Sequence, residues 1–133
     1  MVCRFHDLPH RATLADSPCL AMPDELSPIF RVADARRASA WYARLGFEVE
    51  GEHRFAPGLP LYVFLRRNGA SLHLSEHTGD ARPGTLVYLW VDDVDGIAAE
   101  FGVEVQTQPW AREVKLTDPD GNRLRIGERA ADA

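Results

Sequence analysis

The residue types that most often hold metals or act as nucleophiles are sparse in this sequence. It contains two cysteines, Cys3 and Cys19, and two of its five histidines, His6 and His10, lie between them. Cysteine and histidine ligands of structural zinc usually occur as closely spaced pairs. The arrangement Cys-x2-His-x3-His-x8-Cys does not have that spacing, so we expect no zinc site at these residues.

A different set of polar and aromatic side chains is brought together by strand alternation. Residues two apart in a β-strand share a face of the sheet. In four predicted strands, one set of alternating residues is apolar and suits packing under a helix. The other set is aromatic or polar: Ser27, Ile29 and Arg31; Ser71, His73 and Ser75; Leu86, Tyr88 and Trp90; Arg123 and Arg125. A solvent-exposed sheet face would show the same alternation, but the aromatic pair on one strand favours a ligand pocket.

The stretch Ser27–Glu50 supplies the first elements that position these side chains. Asp34 is a suitable N-cap, because its carboxylate can accept hydrogen bonds from the free amides of a first helical turn. Gly46 can adopt the left-handed backbone that ends a helix. The apolar residues predict a strand, a helix and a second strand: Pro28, Phe30 and Val32 alternate, Ala38, Trp41, Tyr42 and Leu45 form one helical stripe, and Phe47 and Val49 alternate again.

The same pattern recurs 59 residues later in the chain. Asp93 takes the place of Asp34, and Gly102 takes the place of Gly46. The strand Thr85–Val91 precedes the second cap, and an apolar helical stripe follows it at Val94, Ile97, Ala98 and Phe101. A repeat of this length indicates two copies of one structural unit.

Each copy continues with further strands, and a polar linker over residues 78–84 separates the copies. The later strands are Leu61–Arg67, Ser71–Glu76, Val103–Thr107, Ala111–Leu116 and Arg123–Gly127. The sequence therefore predicts an α+β fold with two βαβββ modules, about residues 27–77 and 85–128. We expect their strands to form a curved sheet with a central cleft and their helices to lie on its outer face.

Composition and length bound the class of protein. A chain of 133 residues with 45% hydrophobic and 26% charged residues is ordinary for a soluble globular protein. No apolar run approaches the ~20 residues that a membrane span requires. The first twenty residues lack the apolar core of a signal peptide. We expect a cytoplasmic protein with no membrane partner, a disordered leader over residues 1–21 and a single domain over residues 22–133.

The charge pattern excludes a second class of partner. The net charge is −5, and the 14 arginines and Lys115 are scattered along the chain. Nucleic-acid-binding proteins concentrate their basic residues on one face, so we expect no nucleic acid partner. An acidic balance makes a cationic ligand tolerable.

Three segments resemble the signatures of the glyoxalase, bleomycin-resistance and extradiol-dioxygenase superfamily, also called the vicinal oxygen chelate fold. They are VADARRASAWYARLGFEV, VYLWVDDVDGIAAEF and DPDGNRLRIGE, and together they span Ser27 to Glu128. Their order is the one expected for that fold. A fold shared by many activities does not by itself fix the function.

Metalloenzymes of that superfamily hold a divalent metal with one side chain on the first and fourth strands of each module. The resemblance places these positions at Ser27, His73, Leu86 and Arg125. Only His73 is a plausible ligand, because Leu86 has no donor atom and Arg125 carries a fixed positive charge. A catalytic metal needs about three protein ligands. We therefore expect no metal, no cofactor and no catalytic residue, with His73 as a polar residue of the cleft.

The sequence resembles most closely the bleomycin-resistance branch, whose members bind and sequester the drug without chemistry. Gln108–Glu113 resembles the QPWGRE segment of that branch, and Pro28 lies where a proline marks the exchanged N-terminal arm of a homodimer. The resemblance implies a homodimer with a groove at its interface that binds a small planar or cationic organic ligand. The residues expected to bind the ligand are Tyr88, Trp90, Trp110, His73, Arg125 and Arg31.

Two departures from that branch leave the identity of the ligand open. Ala111 replaces a glycine, and the connection Gly102–Pro109 is shorter than the loop that walls the groove in drug-binding members. Two other functions also stay open. One is an enzyme of the superfamily with an absent or altered metal site, in which a histidine acts as acid or base: His53, His73 or His77. The other is a dimeric scaffold or regulatory subunit whose cleft is vestigial.

Overall fold

The computed structural model describes residues 23–130, which form two helices and eight strands. The elements of the first half are β1 (Ile29–Arg31), α1 (Ala35–Ala43), β2 (Glu48–His53), β3 (Tyr62–Arg67) and β4 (Ala70–Ser75). Those of the second half are β5 (Leu86–Trp90), α2 (Val94–Phe101), β6 (Gln106–Thr107), β7 (Ala111–Thr117) and β8 (Arg123–Arg129). Each half has the order strand, helix and three strands, as the sequence repeat predicts.

Each half forms its own four-stranded sheet, and the two sheets have the same topology. Their strand orders are β1-β4-β3-β2 and β5-β8-β7-β6. In both sheets the first strand pairs in parallel with the last, and the other pairs are antiparallel. Helix α1 packs against β2, β3 and β4, and α2 packs against β7 and β8. The predicted α+β fold with two βαβββ modules is thereby confirmed.

Both helices begin at the aspartates that the sequence predicts. The Asp34 carboxylate accepts a hydrogen bond from the Arg37 amide at 3.1 Å, and the Asp93 carboxylate accepts one from the Gly96 amide at 3.1 Å. These bonds satisfy amides that have no partner within the helix.

A second carboxylate caps each helix, and the sequence analysis did not anticipate it. Glu76, just after β4, accepts a hydrogen bond from the Ala35 amide at 2.8 Å. Glu128, near the end of β8, accepts one from the Val94 amide at 3.0 Å. The repeat therefore extends to side-chain contacts between the end of each module and the start of its helix.

The hydrophobic core lies between each helix and the sheet beneath it. The apolar residues predicted to face the helices are buried on β1, β4 and β8: Phe30, Val32, Leu72, Leu74, Leu124 and Ile126. On β5, the residues predicted to face the helix pair with core residues of β8, and Val91 is buried. Val87 and Leu89 pack against the core but are only partly buried, and they line an apolar cavity of about 500 Å³ between the modules.

Two local details add to or correct the predictions. Ser75 shares the face of His73 by strand alternation, as predicted, and is fully buried there, where its hydroxyl donates to the Asp80 carboxylate. The predicted strand Val103–Thr107 is shortened to Gln106–Thr107. The amide of Val103 instead closes the turn that ends α2, since it donates to the carbonyl of Ala98 at 3.0 Å.

The turn Asp118–Asn122 joins the two modules. The buried Asp118 carboxylate accepts a hydrogen bond from the Tyr42 hydroxyl of α1 at 2.7 Å. The buried Asn122 side chain donates to the Arg31 carbonyl at 3.0 Å. A segment that the sequence identifies only as a turn therefore fixes the second module to the first.

Two further sequence predictions concern the N-terminal leader and membrane spans. The predicted leader, residues 1–21, lies outside the described residues, together with Cys3, His6, His10 and Cys19. Within residues 23–130, neither helix is long and apolar enough to span a membrane.

Candidate functional site

The face of the second sheet that points away from α2 carries most of the predicted site, and we call it the open face. Its residues follow from strand register, because residues paired across neighbouring strands point to the same side. Tyr88 pairs with Arg125, Lys115 also pairs with Arg125, and Trp90 pairs with Gly127. The open face therefore comprises Leu86, Tyr88 and Trp90 on β5, Glu113 and Lys115 on β7, and Arg123, Arg125, Gly127 and Arg129 on β8.

The aromatic pair of the open face is accessible to a ligand. The rings of Tyr88 and Trp90 lie 4.7 Å apart with an interplanar angle of 46°. The guanidinium of Arg129 lies 4.1 Å from the centre of the Trp90 ring, a cation–π contact that holds the indole in place. Trp90 is nevertheless 40% exposed, so the indole is both positioned and available for stacking.

A buried carboxylate fixes Tyr88 and Arg125 from below. Glu113 is 0% exposed. Its carboxylate accepts a hydrogen bond from the Tyr88 hydroxyl at 2.6 Å and two from the Arg125 guanidinium at 2.9 Å each. A buried charge of this kind is stable only when it is paired and hydrogen-bonded. The three side chains therefore form a rigid base for the open face.

The pKa values of this group follow from the same contacts. Burial alone would raise the pKa of Glu113, but hydrogen bonds from Tyr88 and Arg125 and the charge of Arg125 hold it below its usual range. The side chain of Trp110 also contributes to this lowering of the pKa of Glu113. Burial and the bond to Glu113 raise the pKa of Tyr88. Near neutral pH, Glu113 is therefore a carboxylate and Tyr88 a hydrogen-bond donor.

Gly127 is the residue that lets Tyr88 reach Glu113. A Cβ atom at this position would lie 2.3 Å from the Tyr88 hydroxyl oxygen and 3.0 Å from two ring carbons. The tyrosine lies across the strand where a side chain would otherwise stand. The geometry of the site therefore requires a residue without a side chain at position 127, and it does not depend on an unusual backbone angle there.

His73 belongs to a separate group on the first sheet. Its Nδ1 lies 2.8 Å from the Tyr62 hydroxyl, and its ring packs edge-on against Phe64 at 4.8 Å. Burial lowers the pKa of His73 against the opposing effect of Glu25 and Glu50, so the ring is neutral near pH 7. A neutral imidazole packed among aromatic rings suits a structural or ligand-lining role.

Of the remaining predicted positions, Pro28 and Arg31 lie in the first module and Trp110 lies in the second. Pro28 precedes β1, and its carbonyl accepts a hydrogen bond from the His73 amide at 2.9 Å. Arg31, on β1, turns its guanidinium onto the carbonyl of Val32. Trp110 precedes β7 and is 46% exposed. The structure thus brings Tyr88, Trp90 and Arg125 together, with Trp110 exposed just before β7, whereas His73 and Arg31 lie on the first sheet.

The four positions that hold a metal in the superfamily's enzymes do not fit one here. The Ser27 hydroxyl donates to the Ser71 hydroxyl at 2.8 Å, and Leu86 has no donor atom. Arg125 presents a cation that is already paired with Glu113. A divalent metal requires several nitrogen, oxygen or sulfur ligands in one place, and this set offers the imidazole of His73 alone.

Three carboxylates outside these positions come close together. In the part of the chain that the structure describes, Asp93, Asp95 and Glu128 are the one group of acidic, histidine or cysteine residues near enough to share an ion. Asp93 and Glu128 cap α2, and Asp95 pairs with Arg112 at 2.8 Å. These contacts explain why the three carboxylates lie close together: two of them stabilise the start of α2, and the third forms an ion pair.

Sequence reasoning found the aromatic residues of the site but missed Glu113 and Arg129. A signal for Glu113 was present. Val114 and Leu116 are apolar and face α2, so Glu113 and Lys115 must point the other way, toward Arg125. Trp90 and Arg129 come into contact only because β5 and β8 are neighbours, and chain order does not reveal that pairing.

Comparisons with known proteins agree with this architecture. A family model described as "Glyoxalase superfamily protein" matches residues 21–133. Three solved structures have similar folds. TnmS3, an antibiotic binding protein from Streptomyces sp. CB03234, is 24% identical with a TM-score of 0.68, covering 84% of this chain and 99% of its own. A bleomycin-binding protein complexed with bleomycin is 22% identical with a TM-score of 0.63, and the match covers 81% of this chain and 100% of that one.

The third structure is a glyoxalase/bleomycin resistance protein from Streptomyces sp. CB03234. It is 27% identical with a TM-score of 0.62, and the match covers 78% of this chain and 99% of that one. No curated protein matches this sequence. The structural similarities establish the fold, and the chemistry has to be argued from the site.

Proposed function

Because the chain belongs to the glyoxalase superfamily, we propose that it binds and sequesters a planar aromatic antibiotic on the open face without reacting with it. A fold that hosts many activities leaves the choice among them to the site. The site here offers aromatic surface and fixed polar groups rather than a reactive centre. A bleomycin-type drug, expected from the sequence resemblance, is one candidate ligand.

The observation that carries the proposal is an exposed aromatic surface on a rigid, charged base. Trp90 and Trp110 are exposed, and Tyr88 is tied to Glu113. Flat aromatic ligands stack on such rings, which contributes roughly 0.5–1.5 kcal/mol for each aromatic pair beyond the burial of area. Side chains that are already fixed lose little conformational entropy on binding. The open face is therefore suited to hold a planar ligand.

Two of the structural neighbours support this proposal by what they bind. TnmS3 is an antibiotic binding protein, and another neighbour was solved in complex with bleomycin. Their identities of 24% and 22% are too low to carry a ligand from one protein to another. They support the use of this fold for binding a drug.

The enzymatic alternative finds less support in the site. His73, the best candidate for an acid or base, is hydrogen-bonded to Tyr62 and has aromatic rings around it. General acid–base catalysis needs a group whose pKa lies near the working pH, and burial moves that of His73 the wrong way for an acid. The proposal therefore assigns no catalytic role to it.

Replacing Trp90 with alanine is expected to weaken binding of a planar ligand about tenfold or more, because a stacking surface and its buried area are lost. Calorimetric titration with metal-free bleomycin and with anthracene-9-carboxylate would measure this. Trp90→Phe keeps an aromatic face and should retain most of the affinity. Urea unfolding of both variants should stay close to that of the unmodified protein, since Trp90 is 40% exposed.

Two results would contradict the proposal. If neither compound binds the unmodified protein, the open face is not a site for planar drugs. If Trp90→Ala lowers the stability strongly and leaves the affinity unchanged, the indole is a packing residue.

We also propose that the protein acts as a homodimer, with Pro28 at the base of an exchanged N-terminal arm. The support is the sequence resemblance, together with an apolar cavity that lies between the modules next to Pro28. An apolar surface of this kind is typical of positions covered by a partner chain. Sedimentation velocity at micromolar concentration should give the mass of two chains. A monomer under those conditions would contradict this assignment.

A further inference from the structure

The open face is strongly basic, although the protein is acidic. Four basic side chains point from this face, namely Lys115, Arg123, Arg125 and Arg129, and one acidic side chain, Glu113, accompanies them. The whole chain has a net charge of −5. The charge of the candidate site is therefore opposite in sign to the charge of the protein.

Glu113 does not neutralise the face as a whole. Its carboxylate is buried and is bound to Arg125 and Tyr88. That pair has no net charge, which leaves Lys115, Arg123 and Arg129. Across residues 23–130, none of these three has an acidic side chain within 4.0 Å.

The acidic residues of the protein are used elsewhere. The arginines away from the open face that form ion pairs are matched with carboxylates at about 3 Å: Arg36 with Glu52, Arg44 with Glu100, Arg66 with Glu25 and Glu50, and Arg112 with Asp95. Carboxylates are thus available in this sequence. Asp92 and Glu128 line a groove with Trp90 and Arg129 at one end of the open face, but within residues 23–130 none forms an ion pair with Lys115, Arg123 or Arg129. Three cations on one sheet face, none of them in an ion pair with a residue of the described part of the chain, cost energy through mutual repulsion. A bound anion would relieve that cost.

We propose that the ligand of the open face is a planar aromatic anion, which stacks on Tyr88 and Trp90 together and directs its negative group toward Lys115 and Arg123. This inference rests on the proposed binding function and adds the sign of the ligand's charge. The net charge of the sequence had suggested a cation. Local charges decide the question, because charges farther away than about 8–10 Å are screened at physiological salt.

Strand geometry places the negative group within reach of these cations. Lys115 and Arg123 are both near neighbours of Arg125, the first directly across from it on β7 and the second two residues away on β8. Neighbouring strands lie about 4.8 Å apart and residues two apart on a strand about 7 Å apart. Tyr88 pairs with Arg125, so a ring stacked on Tyr88 lies one strand spacing from β8 and two from Lys115. Trp90 pairs with Gly127, four residues along β8 from Arg123, so a ligand that covers both rings extends from Trp90 across Tyr88 toward the cations. Carboxylate, sulfonate and ionised phenol groups all suit this distance.

The test compares three ligands that share one ring system and differ in charge. Anthracene-9-carboxylate is an anion, 9-(aminomethyl)anthracene is a cation and 9-anthracenemethanol is neutral near pH 7. Fluorescence anisotropy of the anthracene ring reports the binding of each. We expect the carboxylate to bind at least about tenfold more tightly than the ammonium compound, with the alcohol between them and a weaker carboxylate affinity at higher salt.

Charge-reversal variants locate the effect on the open face. Lys115→Glu and Arg123→Glu should each weaken carboxylate binding by about threefold to tenfold and strengthen ammonium binding. Arg37→Glu is the matched control, because Arg37 is exposed on α1 and the substitution changes the net charge by the same amount. It should change the two affinities by less than about twofold. Circular dichroism and urea unfolding confirm that the variants are folded.

The outcomes separate this inference from the proposed function. Equal or tighter binding of the ammonium compound, with Trp90→Ala still weakening it, overturns the charge assignment and leaves the binding function in place. Equal effects of Arg37→Glu and Lys115→Glu also overturn the assignment, because distant charge would then explain the preference. If none of the three compounds binds but metal-free bleomycin does, the charge assignment is refuted and the binding function stands. If metal-free bleomycin also fails to bind, both are refuted.

Discussion

Replacing Asp118 with alanine is expected to remove roughly 3–5 kcal/mol from the free energy of unfolding. The carboxylate is buried and accepts four hydrogen bonds. They come from the Tyr42 hydroxyl at 2.7 Å, the Asp120 amide at 2.8 Å, and the amide and side chain of Asn122 at 2.9 and 3.1 Å. Each buried donor left without a partner costs about 1–3 kcal/mol. Domains of this size are stabilised by only about 5–15 kcal/mol.

The bond to Tyr42 gives this substitution its large effect on module packing. Tyr42 lies in the core of the first module, and burial, followed by the bond to Asp118, raises the pKa of its hydroxyl. Losing Asp118 would leave that hydroxyl buried without a partner. It would also release the turn that holds Asn122 against the Arg31 carbonyl. Both modules should therefore be destabilised, although the substitution is in the second.

Urea unfolding followed by circular dichroism measures this expectation. Asp92→Ala is the matched control, because Asp92 is exposed and makes no hydrogen bond or ion pair among the contacts described for residues 23–130. It should change the stability by less than about 0.5 kcal/mol. Tyr42→Phe in the Asp118→Ala background should cost little more, since the two residues share one bond. A loss below about 1 kcal/mol for Asp118→Ala would show that the turn does not join the modules.

The fold was largely predictable because its signals are local. The aspartate caps act three residues away, and strand alternation needs only neighbouring positions. The role of Asp118 was not predictable in the same way. Its partner Tyr42 is 76 residues distant, and DPDGN has the composition of any tight turn. The same holds for Glu76 and Glu128, whose contacts with the helix starts depend on where each last strand ends.

The candidate site was predictable in its aromatic residues but not in its charge. Alternation along β5 placed Tyr88 and Trp90 on one face, as the structure confirms. The sign of the face depends on which of 15 basic residues converge on it and which carboxylates are buried. Net charge averages over the surface and carries no information on that arrangement. Strand pairing, which sequence periodicity does not give, decides it.

Replacing Glu113 with alanine is expected to cost about 2–4 kcal/mol of stability and most of the affinity for planar ligands. The substitution leaves the Tyr88 hydroxyl and the Arg125 guanidinium without their shared acceptor. The side chain of Arg125 is 35% exposed and can regain some water, so the loss should not reach the upper end for a fully buried ion pair. Tyr88, no longer fixed, should turn away from Trp90 and remove its ring from the stacking surface.

The pH dependence of stability separates the charge of Glu113 from its shape. The pKa of the folded-state carboxyl is lowered, so the unfolded chain binds the proton more readily than the folded one. The stabilisation is therefore fully present above the unfolded-state value of about 4.3 and is lost as the pH falls below it toward the folded-state pKa. Glu113→Gln keeps the shape without the charge, so its deficit should be largest near pH 7 and shrink below pH ~4.

Urea unfolding at pH 7 and at pH 3.5 tests both parts of this expectation. Glu104→Gln is the control, because Glu104 is exposed and its carboxyl has no role in the open face. It should behave like the unmodified protein at both pH values. Arg125 then decides the interpretation: if Glu113→Gln and Arg125→Gln cost as much together as either alone, the two act as one pair. A Glu113→Gln deficit that stays constant from pH 7 to 3.5 would mean that packing, not the ion pair, makes Glu113 important.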